Sequence, residues 1–285
     1  MKIYKQLMLL KFVLLFTLQS FAQTATDSSV AANKKKVEFK IGINYNSRLN
    51  YFGRTDSLKS SGIYPSAEIN YDGWFIKSDF IFINNRVINT QYTGSILSGG
   101  YNFSDSKEKF SGSIYLSKFF YQDNSTLVQS AIKEQAVANF SFSNTIININ
   151  IGGDAKFNKA TDYGATAGLD HLQRFELKDG KTIIVLDPSV YAYAGTQNFT
   201  QTYYQQKKIL FLPAGEEQVT QDSKKFNLLA YEVSFPVVLA TGKFIFSLTP
   251  SYILPQNLVQ APGHPELSET GKNLFYLTAG ATIKF

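Results

Sequence analysis

The chain contains no cysteine in 285 residues. That excludes disulfides, an anchor acylated on cysteine and any thiolate metal site. It has two histidines, His171 and His264, too far apart to supply a zinc set without thiolates. No metal and no cofactor is expected. A G-x-S-x-G nucleophile elbow is also missing. Apolar runs are short: a helix needs about 20 apolar residues to span a bilayer, and the longest run, from Leu7 to Leu18, is shorter and is interrupted by Lys11.

The formal charge is +6. Lys2, Lys5 and Lys11 belong to an N-terminal segment without acids, so its removal leaves +3. A balance that near neutrality gives no reason to expect a nucleic-acid partner. In the same segment, basic residues precede the apolar run, and Ser20-Phe21-Ala22 places small residues three and one before a cut between Ala22 and Gln23. This is the pattern of an exported precursor, with a signal peptide over 1–22. Residues 23–36 are small and polar and end in Lys34-Lys35-Lys36, as in a flexible periplasmic lead-in.

From residue 37 to 285 the chain alternates. In the last strand Phe275, Leu277, Ala279, Ala281, Ile283 and Phe285 share one register, and Tyr276, Thr278, Gly280, Thr282 and Lys284 the other. A period of two puts these sets on opposite faces of a strand. Similar segments are predicted at 37–47, 62–71, 74–83, 93–103, 110–121, 135–143, 146–157, 165–177, 182–195, 225–237, 243–254 and 273–285. The connections after even strands are short (72–73, 104–109, 144–145, 178–181, 238–242). Those after odd strands are mostly longer (48–61, 84–92, 122–134, 158–164, 196–224, 255–272). Loops sorted by parity, with an even strand number, predict an all-β fold: a single-chain antiparallel transmembrane β-barrel of about twelve strands. Ten or fourteen are the alternatives, because His171 and Gln173 weaken the eighth segment. Pro188 and Pro250 fall inside predicted strands and call for local bulges or a displaced strand boundary.

The charges decide which face is which. Val37, Phe39, Ile41, Ile43 and Tyr45 lie on one register of the first strand; Trp74, Ile76, Phe80 and Phe82 on one of the third; Leu229, Tyr231, Val233 and Phe235 on one of the tenth. Glu38, Lys40, Glu68, Lys77, Asp79, Asp154, Lys156, Arg174, Glu176, Asp187, Glu232 and Lys284 fall on the opposite registers. A basic side chain in lipid at the midplane costs roughly 2–4 kcal/mol. The charged register is therefore the interior and its members are lumen-lining candidates. Lys118 is on the lipid register, near an end from which it can snorkel. Aromatics form two clusters at the strand ends, one of which includes Phe119, Phe120 and Tyr121, as in the girdles of such barrels.

Phe285, with Ile283, Leu277 and Phe275 on its register, resembles the C-terminal strand signature of Gram-negative outer-membrane barrels. That resemblance implies delivery to the barrel-assembly machinery and residence in outer-membrane lipid. Asn44-Tyr45-Asn46-Ser47 and Lys118-Phe119-Phe120-Tyr121-Gln122-Asp123-Asn124 resemble stretches of uncharacterised Bacteroidota barrels. The resemblance covers 37–285 and carries no functional residue with it.

Outer membrane phospholipase A, another twelve-stranded barrel, has a serine two residues beyond a lipid-facing histidine. His171 is predicted to face lipid, but Gln173 stands where that serine would be. No catalytic residue is assigned, and the chain is not expected to be an enzyme. The interior charges admit two readings, a charge-lined pore or opposite charges that pair and plug the lumen. The longest loop, 196–224, extends the neighbouring strands, folds inward as a constriction or offers a binding surface, and its β-prone Ile209-Leu210-Phe211-Leu212 favours extension. The expectation is a monomeric outer-membrane barrel acting as a narrow passive channel for small polar solutes or ions. A closed barrel working through its outer loops is the alternative, and a lipid-modifying enzyme a distant third.

Overall fold

The computed structural model describes residues 36–55, 58–87, 89–107, 109–122, 132–198, 224–258 and 271–285. The leader with Ala22 and Gln23, the lead-in up to residue 35, loop residues 199–223 and His264 lie outside the described residues. The strands in chain order are β1 (Glu38–Asn46), β2 (Asn50–Tyr51), β3 (Arg54–Thr55), β4 (Ser61–Tyr71), β5 (Trp74–Asn84) and β6 (Gln91–Ser104). Next come β7 (Phe110–Tyr121), β8 (Glu134–Phe142), β9 (Asn148–Phe157), β10 (Asp162–Asp170), β11 (Gln173–Glu176) and β12 (Thr182–Leu186). The last are β13 (Ser189–Gly195), β14 (Asn227–Ser234), β15 (Val237–Thr241), β16 (Phe244–Pro255) and β17 (Leu274–Lys284).

Every pairing is antiparallel, and the sheet closes because β1 pairs with both β4 and β17 while β17 also pairs with β16. β10 and β11, β12 and β13, and β14 and β15 are halves of three interrupted crossings. β2–β3 is a separate hairpin, which leaves a wall of twelve crossings. Closure leaves no continuous free edge, the condition for a β structure to sit in lipid. The short connections share one rim. Asp72 and Gly73, at φ 51 and 85, make the two-residue turn with both central residues left-handed that Asp-Gly favours. Asp179 accepts the Thr182 Oγ1 hydroxyl at 2.6 Å and the Lys181 and Thr182 amides at 2.9 Å. These bonds hold its carboxyl below the ordinary value. They support the turn above the usual carboxylate range and lapse as pH falls through the lowered value.

The exterior is apolar. Ile41, Ile43, Ile76, Leu116, Ile151, Val190, Val233 and Phe246 all stand outward and exposed, at 43 % or more. In water such a surface would drive aggregation; in hydrocarbon it is solvated. Leu116, 66 % exposed near the middle of β7, is a direct test. Leu116→Arg should cost about 2–4 kcal/mol, read as a lower urea midpoint for unfolding from lipid vesicles.

The prolines are accommodated by matched gaps. His171 N donates to Pro188 O at 3.1 Å, Asp187 N to Pro236 O at 3.0 Å and Phe235 N to Pro250 O at 3.0 Å. In a strand a residue's N and O point to the same side, so each proline turns its missing donor toward a neighbour that is itself interrupted. Pro188 and Pro236 thus lie in breaks between half-strands, while Pro250 stays within β16 without a lost donor. The same breaks divide the eighth segment at His171–Leu172, where His171 Nδ1 lies 2.6 Å from Ile146 O.

Two register assignments need correction. Leu229 is 2 % exposed and faces inward, because the β13–β14 ladder shifts between Tyr193 and Ala194. Ala230 pairs with Tyr193 and Leu228 with Ala194, so Leu229 is the extra residue of a bulge. Phe119 and Tyr121 stack together at 6.0 Å on the inner face, and only Phe120 of that trio faces out. The aromatic belt at the short-turn rim holds, with Trp74 against Tyr101 at 5.0 Å and Phe39 against Phe285 at 6.0 Å. Lys118, on the lipid register, reaches Glu134 at 3.0 Å with both side chains more than half exposed.

Candidate functional site: the barrel interior

The inner wall carries a polar row that follows the hydrogen-bonded ladder from one rim to the other. Lys284 is paired with Lys40, Lys40 with Glu68, Glu68 with Lys77 and Lys77 with Ser98. Ser98 continues to Ser117, then Gln135, Lys156 and Asp162. Lys284 is at the short-turn rim and Asp162 at the long-loop rim. Strand tilt in a closed barrel turns such a row into a staircase.

Ion pairs form along this wall rather than across the lumen. Lys40 Nζ lies 3.1 Å from Glu38 and 3.4 Å from Glu68, and Lys77 Nζ 3.0 Å from Asp79. Lys156 holds Asp154, to which Gln135 also donates at 3.3 Å, and Lys284 lies 3.8 Å from Glu38. Arg174 and Glu176 are elsewhere. They pair at 2.8 Å on β11, exposed at the rim on a projecting hairpin, so they do not line the lumen. Asp187 is in the break before β13, and Glu232 is 1 % exposed with Oε1 accepting the Tyr276 hydroxyl at 2.9 Å.

The half of the interior nearer the long loops is filled, and the filling comes from the first loop. Leu49 and Tyr51, on the approach to and within the β2–β3 hairpin, join one buried cluster with Tyr64, Ile81, Ile83, Ile96 and Phe119 from one side of the wall. Tyr191, Tyr193, Leu229, Ile253 and Tyr276 complete it from the other side. A cluster drawing on β4 to β7 and on β13, β14, β16 and β17 spans the lumen. The hairpin turns at Phe52 and Gly53, with φ 48 and 79. Phe52 is an unusual residue for the left-handed region, a conformation costing about 1–3 kcal/mol. Its ring packs on Tyr193 at 4.9 Å.

Arg54, 2 % exposed, fastens the hairpin. Its guanidinium donates to Leu229 O at 3.1 Å, Gln256 O at 2.9 Å, Asn257 O at 3.3 Å and Gln197 Oε1 at 3.4 Å, and it closes on Phe52 O at 3.2 Å. Nη1 has one acceptor for each of its two N–H groups, and three acceptors surround Nη2, whose two N–H groups share them. From sequence, 48–61 is a plain loop, and an inward constriction is one of the readings open only to 196–224, behind extension of the neighbouring strands. Of that longer loop, the described part contributes Gln197 to the clasp.

Close packing also fixes the opposite wall. A Cβ on Gly168 would fall 2.1 Å from Tyr191 Cδ1. The glycine is therefore the seat of the Tyr191 ring. Gly168→Val should push the ring aside and lower stability by about 1–3 kcal/mol, measured by urea unfolding in vesicles. On the outer side of this region a groove of about 430 Å³, lined by Leu169, Pro188, Val190, Val233, Phe235 and Pro250, opens to lipid at the strand breaks. It is outside the lumen. Among the described residues no three His, Cys, Asp or Glu side chains gather to hold a metal ion.

A closed antiparallel wall of twelve crossings, greasy outside and ionic within, has one architectural reading. It is a transmembrane β-barrel. Solved structures of similar trace include the KdgM porin, at 9 % identity and TM-score 0.45 over 86 % of this chain and 99 % of that one. The NanC porin matches at 10 % identity and TM-score 0.44 over 87 % and 100 %. An outer membrane channel from Pseudomonas putida F1 matches at 10 % identity and TM-score 0.46 over 89 % and 97 %. Scores and identities this low carry no argument about activity. No family model and no curated protein matches the chain.

Proposed function

We propose that the protein is a narrow passive channel of a bacterial outer membrane, carrying small polar solutes or ions, with the β2–β3 hairpin seated here as its plug. The observation behind this is the polar staircase from Lys284 to Asp162. A barrel needing only to be solid could fill its interior with apolar side chains and avoid desolvating ions. Polar groups continuous from rim to rim, ionic at both ends of the row, are instead what a wet pathway tolerates.

Planar-bilayer recording of the purified protein tests the reading. Discrete conductance steps are expected, rare while the plug is seated; complete silence, also after the plug is unfastened, would eliminate the channel. The filled loop-rim half favours a second reading, a permanently closed barrel that acts through its outer loops, and that same silence would support it. A monomeric state and delivery by the barrel-assembly machinery belong to the proposal and rest on the self-closed ladder and the aromatic last strand. Placement among Bacteroidota barrels rests on the sequence stretches alone.

A further inference from the structure

The interior is electrically lopsided. On β1, β5, β9 and β17 each inward lysine named above holds a carboxylate. On the opposite wall Asp170, Asp187 and Glu232 have no lysine or arginine within 4.0 Å among the described residues. Asp170 is satisfied by the Asn148 and Asn150 amides. Glu232 Oε2, on a side chain 1 % exposed, has no hydrogen-bond partner, and neither has Asp187 Oδ1 or the Tyr193 hydroxyl, itself on a residue 1 % exposed.

A second observation lies beside this wall. The Arg54 guanidinium is seated on it, accepted by the carbonyl of Leu229, three residues from Glu232, and by the carbonyls of Gln256 and Asn257. These acceptors belong to the barrel and its rim, not to the hairpin. They would accept from any guanidinium presented in the same place.

We propose that the wall formed by β10, β13 and β14, with the Gln256–Asn257 carbonyls above it, is a recognition site for a guanidinium-bearing organic solute, and that Arg54 occupies it while the plug is seated. The inference deepens the channel reading and rests on it for the route of entry. The carbonyls fix the planar head, and the carboxyls of Glu232 and Asp187, each with one oxygen free of any hydrogen bond and no basic partner among the described residues, attract the cation inward. An organic cation suits the wall better than a metal ion, because its hydrogen bonds are spread over separated acceptors.

The test uses the full chain with Arg54→Ala and methylguanidinium as the probe, with titration calorimetry in detergent micelles beside bilayer recording. Methylguanidinium should bind the variant at least tenfold more tightly than wild type and suppress its current. Urea, of similar shape but uncharged, should do neither. Adding Glu232→Gln or Asp187→Asn should weaken binding severalfold. Equal affinity for wild type and variant, equal binding of urea, or indifference to both acid substitutions would overturn the site. Should Arg54→Ala fail to fold, Arg54→Gln serves with the same expectations. Binding without current in any variant would sink the channel reading and spare the site; current without binding would do the reverse.

Discussion

Arg54→Ala is expected to turn a barrel that is nearly always shut into one that conducts for much of the time. The substitution takes a charged donor from five acceptors; the carbonyls of Gln256 and Asn257 lose this partner, while Leu229 O keeps the Gln256 N–H at 2.8 Å. Hydrogen bonds to a charged group contribute about 1.5–3 kcal/mol each, and water can replace some of them once the hairpin lifts. A net loss of about 3 kcal/mol shifts the seated-to-lifted equilibrium roughly a hundredfold. The strained Phe52 then has only its packing on Tyr193 to hold it. Open probability in planar bilayers measures the effect, and an unchanged record would mean that the hairpin is fixed by its apolar contacts alone.

The converse variant closes the barrel on demand. A Cβ on Gly53 would lie 3.0 Å from Pro255 Cβ, close to the separation of about 3.5–4.5 Å across a disulfide. The chain has no native cysteine to compete. Made in the Arg54→Ala background, Gly53→Cys with Pro255→Cys should be silent when oxidised and conduct again on reduction.

How much of this was legible in the sequence depends on which half of the barrel is considered. Near the short turns, charged and apolar residues alternate (Glu38, Phe39, Lys40, Ile41), and the cost of placing Lys40 in lipid assigns both faces at once. Nearer the long loops the chain reads Phe80, Ile81, Phe82, Ile83, apolar on both registers. Alternation cannot say there which side is lipid, because the inner side is apolar for another reason: it packs against Leu49 and Tyr51. The plug itself left a faint signal. Phe52-Gly53 is not one of the favoured hairpin dipeptides, and the turn forms because tertiary packing on Tyr193 and Pro255 imposes it. The bulge at Leu229 likewise depends on the neighbouring strand. Strand number was readable because loop lengths sort by parity, a property of the whole chain rather than of one segment.

The charge-reversed pair Lys77→Glu and Lys156→Glu, made in the Arg54→Ala background, should raise the preference for cations over anions severalfold. Each replacement changes the wall by two charges, on side chains now matched to Asp79 and Asp154. At about 8 Å from a permeating ion and the dielectric of water, one charge contributes about 0.5 kcal/mol. Four therefore contribute about 2 kcal/mol, or roughly thirtyfold in a permeability ratio at low salt. At 0.1 M the Debye length is about 10 Å, comparable with that distance, which trims the effect to severalfold and makes it fade as salt rises. Reversal potentials under a salt gradient read the ratio directly. Lys77→Met with Lys156→Met should lie midway, since it removes two charges without adding two of the other sign. If both pairs conduct with the parent's selectivity, ions do not pass beside these lysines and the staircase is no pathway. If only the glutamate pair changes, and its change ignores salt, the cause is a distorted wall rather than its charge.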